Sequence, residues 1–120
     1  MAVRAIRGAT HLSADDADEM REAVVELLAA MLERNDLGTA DLVSVLFTAT
    51  PDLVSAFPAG AARGMDIGDV PLICAQEIDV TGAMPRVVRV MAHVECDLAR
   101  SDVSHVYLRG AEVLRADLAQ

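Results

Sequence analysis

The sequence predicts an α+β domain: a mixed sheet of about five strands, one long helix and a short helical turn. Two patterns predict it. Apolar residues recur at three- and four-residue steps from Met20 to Leu32, the period of one helical face. Elsewhere they form short runs, several rich in Val and bounded by Gly, Pro or Asp, as buried strands do. A length of 120 residues holds one domain, residues 1–120, and a hydrophobic fraction of 53% supplies its core.

The elements follow in order. Val3-Arg4-Ala5-Ile6-Arg7-Gly8 reads as a short strand, followed by a turn-like stretch to Ser13. Ser13-Ala14-Asp15-Asp16 reads as a helix start, with Ser13 as the hydroxyl cap and acids in the first turn, where the helix dipole favours them. Met20, Val24, Leu27, Leu28, Met31 and Leu32 form the apolar face, and Asn35-Asp36-Leu37-Gly38 stops the helix. Leu42 to Ala49 is a buried strand broken by Thr50-Pro51-Asp52. Pro58 opens a short helical turn. Pro71 to Glu77 and Arg86 to Glu95 are strands, with a turn at Asp79-Val80-Thr81-Gly82 between them. Val106 to Leu108 and Glu112 to Leu114 read as short strands around Arg109-Gly110. One helix covers one sheet face only, so the apolar strands leave a second face for another subunit.

Charge and composition exclude several functions. The net charge is −9, every base is Arg, and the 21 alanines fit a GC-rich coding bias. An acidic chain with three aromatic residues has neither the basic face nor the stacking platform of a nucleic-acid binder. No run of about 18 uncharged apolar residues offers a membrane span. Arg4 and Arg7 interrupt any secretory segment, so a cytoplasmic location is expected. Cys74 and Cys96 make neither a disulfide framework nor a four-ligand zinc site.

Familiar catalytic signatures are missing. There is no G-x-G-x-x-G and no Walker loop. Val80 separates Asp79 from Thr81, so the turn is no aspartic-protease signature. His93-Val94-Glu95 has the H-x-E spacing of zinc deaminases, but no P-C-x-x-C follows; the two side chains read better as a pair on one sheet face. No nucleophile–base order is defensible from spacing, and no metal or cofactor is expected.

What stands out is arginine inside strands. Arg7 and Arg89 interrupt apolar stretches, where a guanidinium destabilises unless an acceptor meets it. Taken singly, each fits a salt bridge or a solvated sheet face. Together, Arg7, Arg63, Arg89 and Arg115 beside Glu77, Tyr107 and Cys74 read as a pocket for an anion, which Arg suits by its bidentate fork and permanent charge.

Ile6-Arg7-Gly8-Ala9-Thr10, Thr48-Ala49-Thr50-Pro51-Asp52-Leu53, Phe57-Pro58-Ala59, Gln76-Glu77-Ile78-Asp79-Val80-Thr81-Gly82, Arg89-Val90-Met91, and His105-Val106-Tyr107-Leu108 with Val113-Leu114-Arg115 occur in that order. This series, from about Val3 to Leu118, is similar to the small monofunctional chorismate mutases of the trimeric, Bacillus type, the AroH-like class. The resemblance implies a homotrimeric pseudo-α/β-barrel with active sites between neighbouring subunits. It also implies conversion of chorismate to prephenate, an intramolecular [3,3]-sigmatropic (Claisen) rearrangement on the way to phenylalanine and tyrosine. Such a reaction needs no proton transfer, nucleophile or cofactor.

By the same resemblance, Arg7 and Tyr107 bind the side-chain carboxylate, and Arg89 faces the ether oxygen that gains charge as its bond breaks. Glu77 and the Cys74 region, with backbone from Ile73 to Ala75, bind the ring hydroxyl. Phe57 is an apolar wall, Leu114 lines the site, and Arg63 and Arg115 assist at the rim. Catalysis is thus expected of Arg89, Glu77, Arg7 and Cys74, although Cys74 is also explained as a small apolar filler and Glu77 as a partner for an arginine. Gly60 stands where relatives often carry Lys, and few residues follow Arg115, where relatives often have a mobile tail; both departures bear on affinity. Two alternatives use the same interface arginines: an enamine or imine deaminase of the YjgF type, and a non-catalytic trimer that binds a carboxylate metabolite.

Overall fold

The computed structural model describes residues 1–115, with side chains through Leu114. It contains a five-stranded mixed sheet in the order β3-β2-β4-β1-β5 and two α-helices, of 17 and 5 residues. The strands are β1 (Ala2–His11), β2 (Leu42–Ala49), β3 (Leu72–Gln76), β4 (Val87–Cys96) and β5 (Val106–Leu108). The helices are α1 (Ala17–Glu33) and α2 (Pro58–Ala62). β4 lies at the centre, antiparallel to both β1 and β2, while β5 joins β1 and β3 joins β2 in parallel.

Strand alternation sends neighbouring side chains to opposite faces. Ile6, Val45, Phe47, Val88, Val90, Ala92 and Val94 are buried on one face, in a core shared with Val24, Leu27, Leu28 and Met31 of α1. Gly8 lets α1 approach closely, for a Cβ there would collide with Met31 Sδ. The other face carries Arg7, Ala9, Leu46, Thr48, Arg89 and Met91. No helix among the described residues is long and apolar enough to cross a membrane.

Three elements differ from expectation. The first strand runs past Gly8 to His11, because Thr10 and His11 continue the pairing with Val88 and Val87. The cap of α1 is Asp16, whose carboxylate accepts the Glu19 N–H at 2.9 Å. Ser13 instead donates its N–H and hydroxyl to the Glu19 carboxylate, at 2.6 and 2.9 Å. The segment 112–114 is not a strand but part of a 3-10 turn, Ala111–Arg115. Burial of Ala111 against Ala9 and Tyr107 holds that turn on the sheet.

The remaining connections set the position of β4. Arg86 adopts a left-handed backbone (φ 53°) and is held from three sides. Its N–H donates to the Asp52 carboxylate at 3.0 Å, its Nε to Leu12 O at 2.9 Å, and its carbonyl accepts the Leu12 N–H at 2.8 Å. Asp52 also accepts the Thr50 hydroxyl, and Thr50 Oγ1 accepts the Val87 N–H at 3.0 Å. The Thr50-Pro51-Asp52 break after β2 is therefore the clamp that starts β4 two residues before Arg89.

Candidate active site

The open sheet face brings together residues from every strand. In register across the sheet, Ala75 pairs with Thr48, Thr48 with Arg89, Arg89 with Ala9, and Ala9 with Tyr107. Paired residues share a face, so this row places the Arg89 side chain mid-sheet with only Ala9 and Thr48 beside it. The small neighbours leave a cleft of about 250 Å³ lined by Arg7, Glu77, Arg89 and Tyr107, with Leu46 and Met91 beneath.

Four of the sequence-predicted residues thus meet. Glu77 follows β3 directly, and its N–H still bonds to Ala49 O at 2.9 Å, which keeps it in the ladder. One carboxylate oxygen stands 3.5 Å from Arg89 Nε, and the other accepts the Thr48 hydroxyl. Arg89 Nε is buried and lacks a hydrogen-bond acceptor of good geometry among the described residues, although it lies in ion-pair range. The whole side chain is 41% exposed, so its outer amino groups face the cleft. A pair this exposed adds no more than about 1 kcal/mol to stability. Its consequence is orientation. Tyr107 is packed by Ala9, Ala111 and Leu114, and the Arg7 N–H donates to His105 Nδ1 at 2.9 Å.

The other predicted residues stand apart. Phe57 is 77% exposed and lines a second groove, of about 530 Å³, with Pro58, Ala75 and Cys74. Ile73 is exposed and pairs with Leu46 on the open face. Arg63 lies at the start of the Arg63–Met65 turn beside Asp66 and Leu72, outside both clefts. The Cys74 side chain points to the helix face, where Sγ accepts the Ala59 N–H at 3.4 Å. It turns away from Arg89 and packs against the core. The expected rim role of Arg115 lies outside the described side chains.

Thr48, Leu46, Met91 and His105 were not singled out as site residues from the sequence. Thr48, Met91 and His105 lie within the recognised motifs, while Leu46 reads as a core apolar residue. Their common face appears only once strand pairing is known. His93 and Glu95 do share a face as alternation requires, with His93 Nδ1 3.3 Å from the Ser44 hydroxyl.

The sequence matches the family chorismate mutase type I over residues 3–118. It is 47% identical over 117 residues to the chorismate mutase AroH of Thermus thermophilus, covering 97% of this chain and 96% of that protein. It is 41% identical over 120 residues to that of Bacillus subtilis strain 168, covering 99% and 94%. The structure is similar to a chorismate mutase from Clostridium thermocellum, with a TM-score of 0.89 and 48% identity, over 91% of this chain and 97% of that one.

Proposed function

The chain belongs to the type I chorismate mutase family and converts chorismate to prephenate; on that premise we propose that the Arg7–Glu77–Arg89–Tyr107 cleft is one half of a site completed by a neighbouring subunit. The deaminase and carboxylate-binding alternatives find no support in these relatives. In the rearrangement one C–O bond breaks as one C–C bond forms within a single molecule. The protein's tasks are therefore to hold the folded conformer of the substrate and to meet charge on the ether oxygen.

In this reading Arg7 and Tyr107 take the side-chain carboxylate. Arg89 meets the ether oxygen with the outer edge of its guanidinium, while Glu77 holds the inner edge and takes the ring hydroxyl. Backbone groups of 73–75 assist, and Cys74 contributes through its backbone rather than its sulfur. The neighbouring subunit supplies Phe57 as an apolar wall and Arg63 at the rim, with Leu114 closing the near side. The observation that carries the reading is that Phe57 lines a cleft separate from that of Arg7, Glu77, Arg89 and Tyr107, with Arg63 outside both. The Arg89 cleft alone is smaller than the ~300–1,000 Å³ usual for small-molecule sites.

A cyclic trimer brings such halves together and covers the open sheet face, where Val3, Leu46 and Ile73 are exposed. In this reading the enzyme works in the cytoplasm. The deciding experiment follows chorismate absorbance and prephenate in dialysed protein without added cofactor, alongside the mass by light scattering. Turnover by a species of about 38 kDa, three times the 12.7 kDa chain, is expected. Full activity in a stable monomer overturns the shared site.

A further inference from the structure

We propose that Thr48 is a positioning residue for the rearrangement: its hydroxyl holds one carboxylate oxygen of Glu77 so that the other is presented to Arg89. The proposal rests on the reading of Glu77 and Arg89 as site residues and adds the group that sets their geometry. Thr48 sits between them in the sheet, paired with Arg89 of β4 on one side and with Ala75 of β3 on the other. Its Oγ1 donates to Glu77 Oε2, and Glu77 Oε1 stands 3.5 Å from Arg89 Nε.

Glu77 needs such a restraint. It lies one residue beyond the last residue of β3, where a single backbone bond to Ala49 continues the ladder. The next residue, Ile78, is 85% exposed, so the chain leaves the sheet at that point. A carboxylate on three side-chain torsions at a strand end samples several rotamers. A hydroxyl on a central strand, itself restricted at χ1 by β-branching, removes that freedom. The guanidinium is then held by its inner edge before substrate arrives, so less reorganisation falls on the reacting complex.

The test uses the full-length protein. Thr48→Val keeps the β-branched shape without the hydroxyl, Thr48→Ala removes it with less bulk, and Thr48→Ser restores it. The Val and Ala variants are expected to lose about tenfold in kcat, the scale of a hydrogen bond to a charged group, with KM changed less. The Ser variant is expected to recover most of kcat. In a Glu77→Ala background, Thr48→Val is expected to add less than about a twofold loss, because the two act as one unit. Wild-type kcat in folded Thr48→Val overturns the proposal, and so does an undiminished tenfold loss in the Glu77→Ala background. Near-normal kcat in Glu77→Ala alone removes the assigned role of Glu77, a failure separate from that of Thr48.

Discussion

Gly8 of β1 lies directly against Met31 of α1: a Cβ on Gly8 would collide with the Met31 sulfur and come within 3.1 Å of Leu27 Cδ1. Met31 and Leu27 are fully buried, so neither has solvent to move into. Gly8→Ala is therefore expected to destabilise by about 1–3 kcal/mol, the usual cost of overpacking. Because Arg7 and Ala9 flank Gly8, the shift also reaches the cleft. Urea denaturation measures the first effect. Gly8→Ala with Met31→Ala is expected to be less destabilised than the two single changes together, since one makes the space that the other fills. Strict additivity would show that the contact is not the cause.

Much of this arrangement was legible in the sequence, and the failures have physical reasons. β2 and β5 fall where their apolar runs fall, because Pro51 breaks the first and Arg109-Gly110 ends the second. Pro58 marks the first residue of α2 as its fixed φ requires. The cap of α1 was harder, since Ser13, Asp15 and Asp16 are all capping types. Glu19 gives its N–H to the Asp16 carboxylate while its own carboxylate accepts from Ser13, so one residue serves two candidate caps. Residues 112–114 are too few to show a period, and tertiary burial of Ala111 decides their form. Cys74 was grouped with Ile73 and Ala75, but adjacent strand residues face opposite ways. Thr48 was hidden because its partner, Glu77, lies 29 residues away in the chain.

The Glu19 network makes stability depend on pH. The Ser13 N–H, then the Ser13 hydroxyl, the Ala14 N–H and the Arg109 charge hold the Glu19 carboxyl below its usual range, against a smaller opposing effect of desolvation. A carboxyl lowered in the folded state stabilises the fold above its unfolded pKa, about 4.3, and that contribution is lost as pH falls through the folded value. The Tm difference between wild type and Glu19→Gln is expected to be greatest at neutral pH and to shrink as pH falls below about 4. A difference constant across that range would remove the linkage.

Arg89 carries the sharpest kinetic expectation. In the proposed site its guanidinium meets an oxygen whose charge exists only as the bond breaks, so its loss is expected to act on kcat more than on KM. Arg89→Ala is expected to lose roughly 3 kcal/mol of transition-state stabilisation, on the scale of a single oxyanion donor. Arg89→Lys keeps the charge but cannot be held at Nε by Glu77 while presenting an outer edge, so it recovers only part. Arg63, outside the cleft, provides the contrast: Arg63→Ala is expected to act mostly through KM. A folded Arg89→Ala protein with near-normal kcat would falsify the role.

The shared site has its own test, which needs no structure of the assembly. Arg89→Ala removes one half-site, and the double change Phe57→Ala with Arg63→Ala removes the other. If each active site takes its halves from two neighbouring subunits, trimers mixed from the two kinds of chain contain some sites in which both halves are intact. Random mixing of equal amounts makes roughly one site in four of this kind. Co-expressed or co-refolded chains are then expected to show about a quarter of wild-type kcat/KM, far above the mean of the separate variants. Low substrate is the condition to use, because the Arg63 contribution is expected in KM. If both halves come from one chain, every site in a mixed trimer carries a defect, and mixing gives only the average. That outcome would leave the chemistry of the cleft in place and remove the neighbour from it.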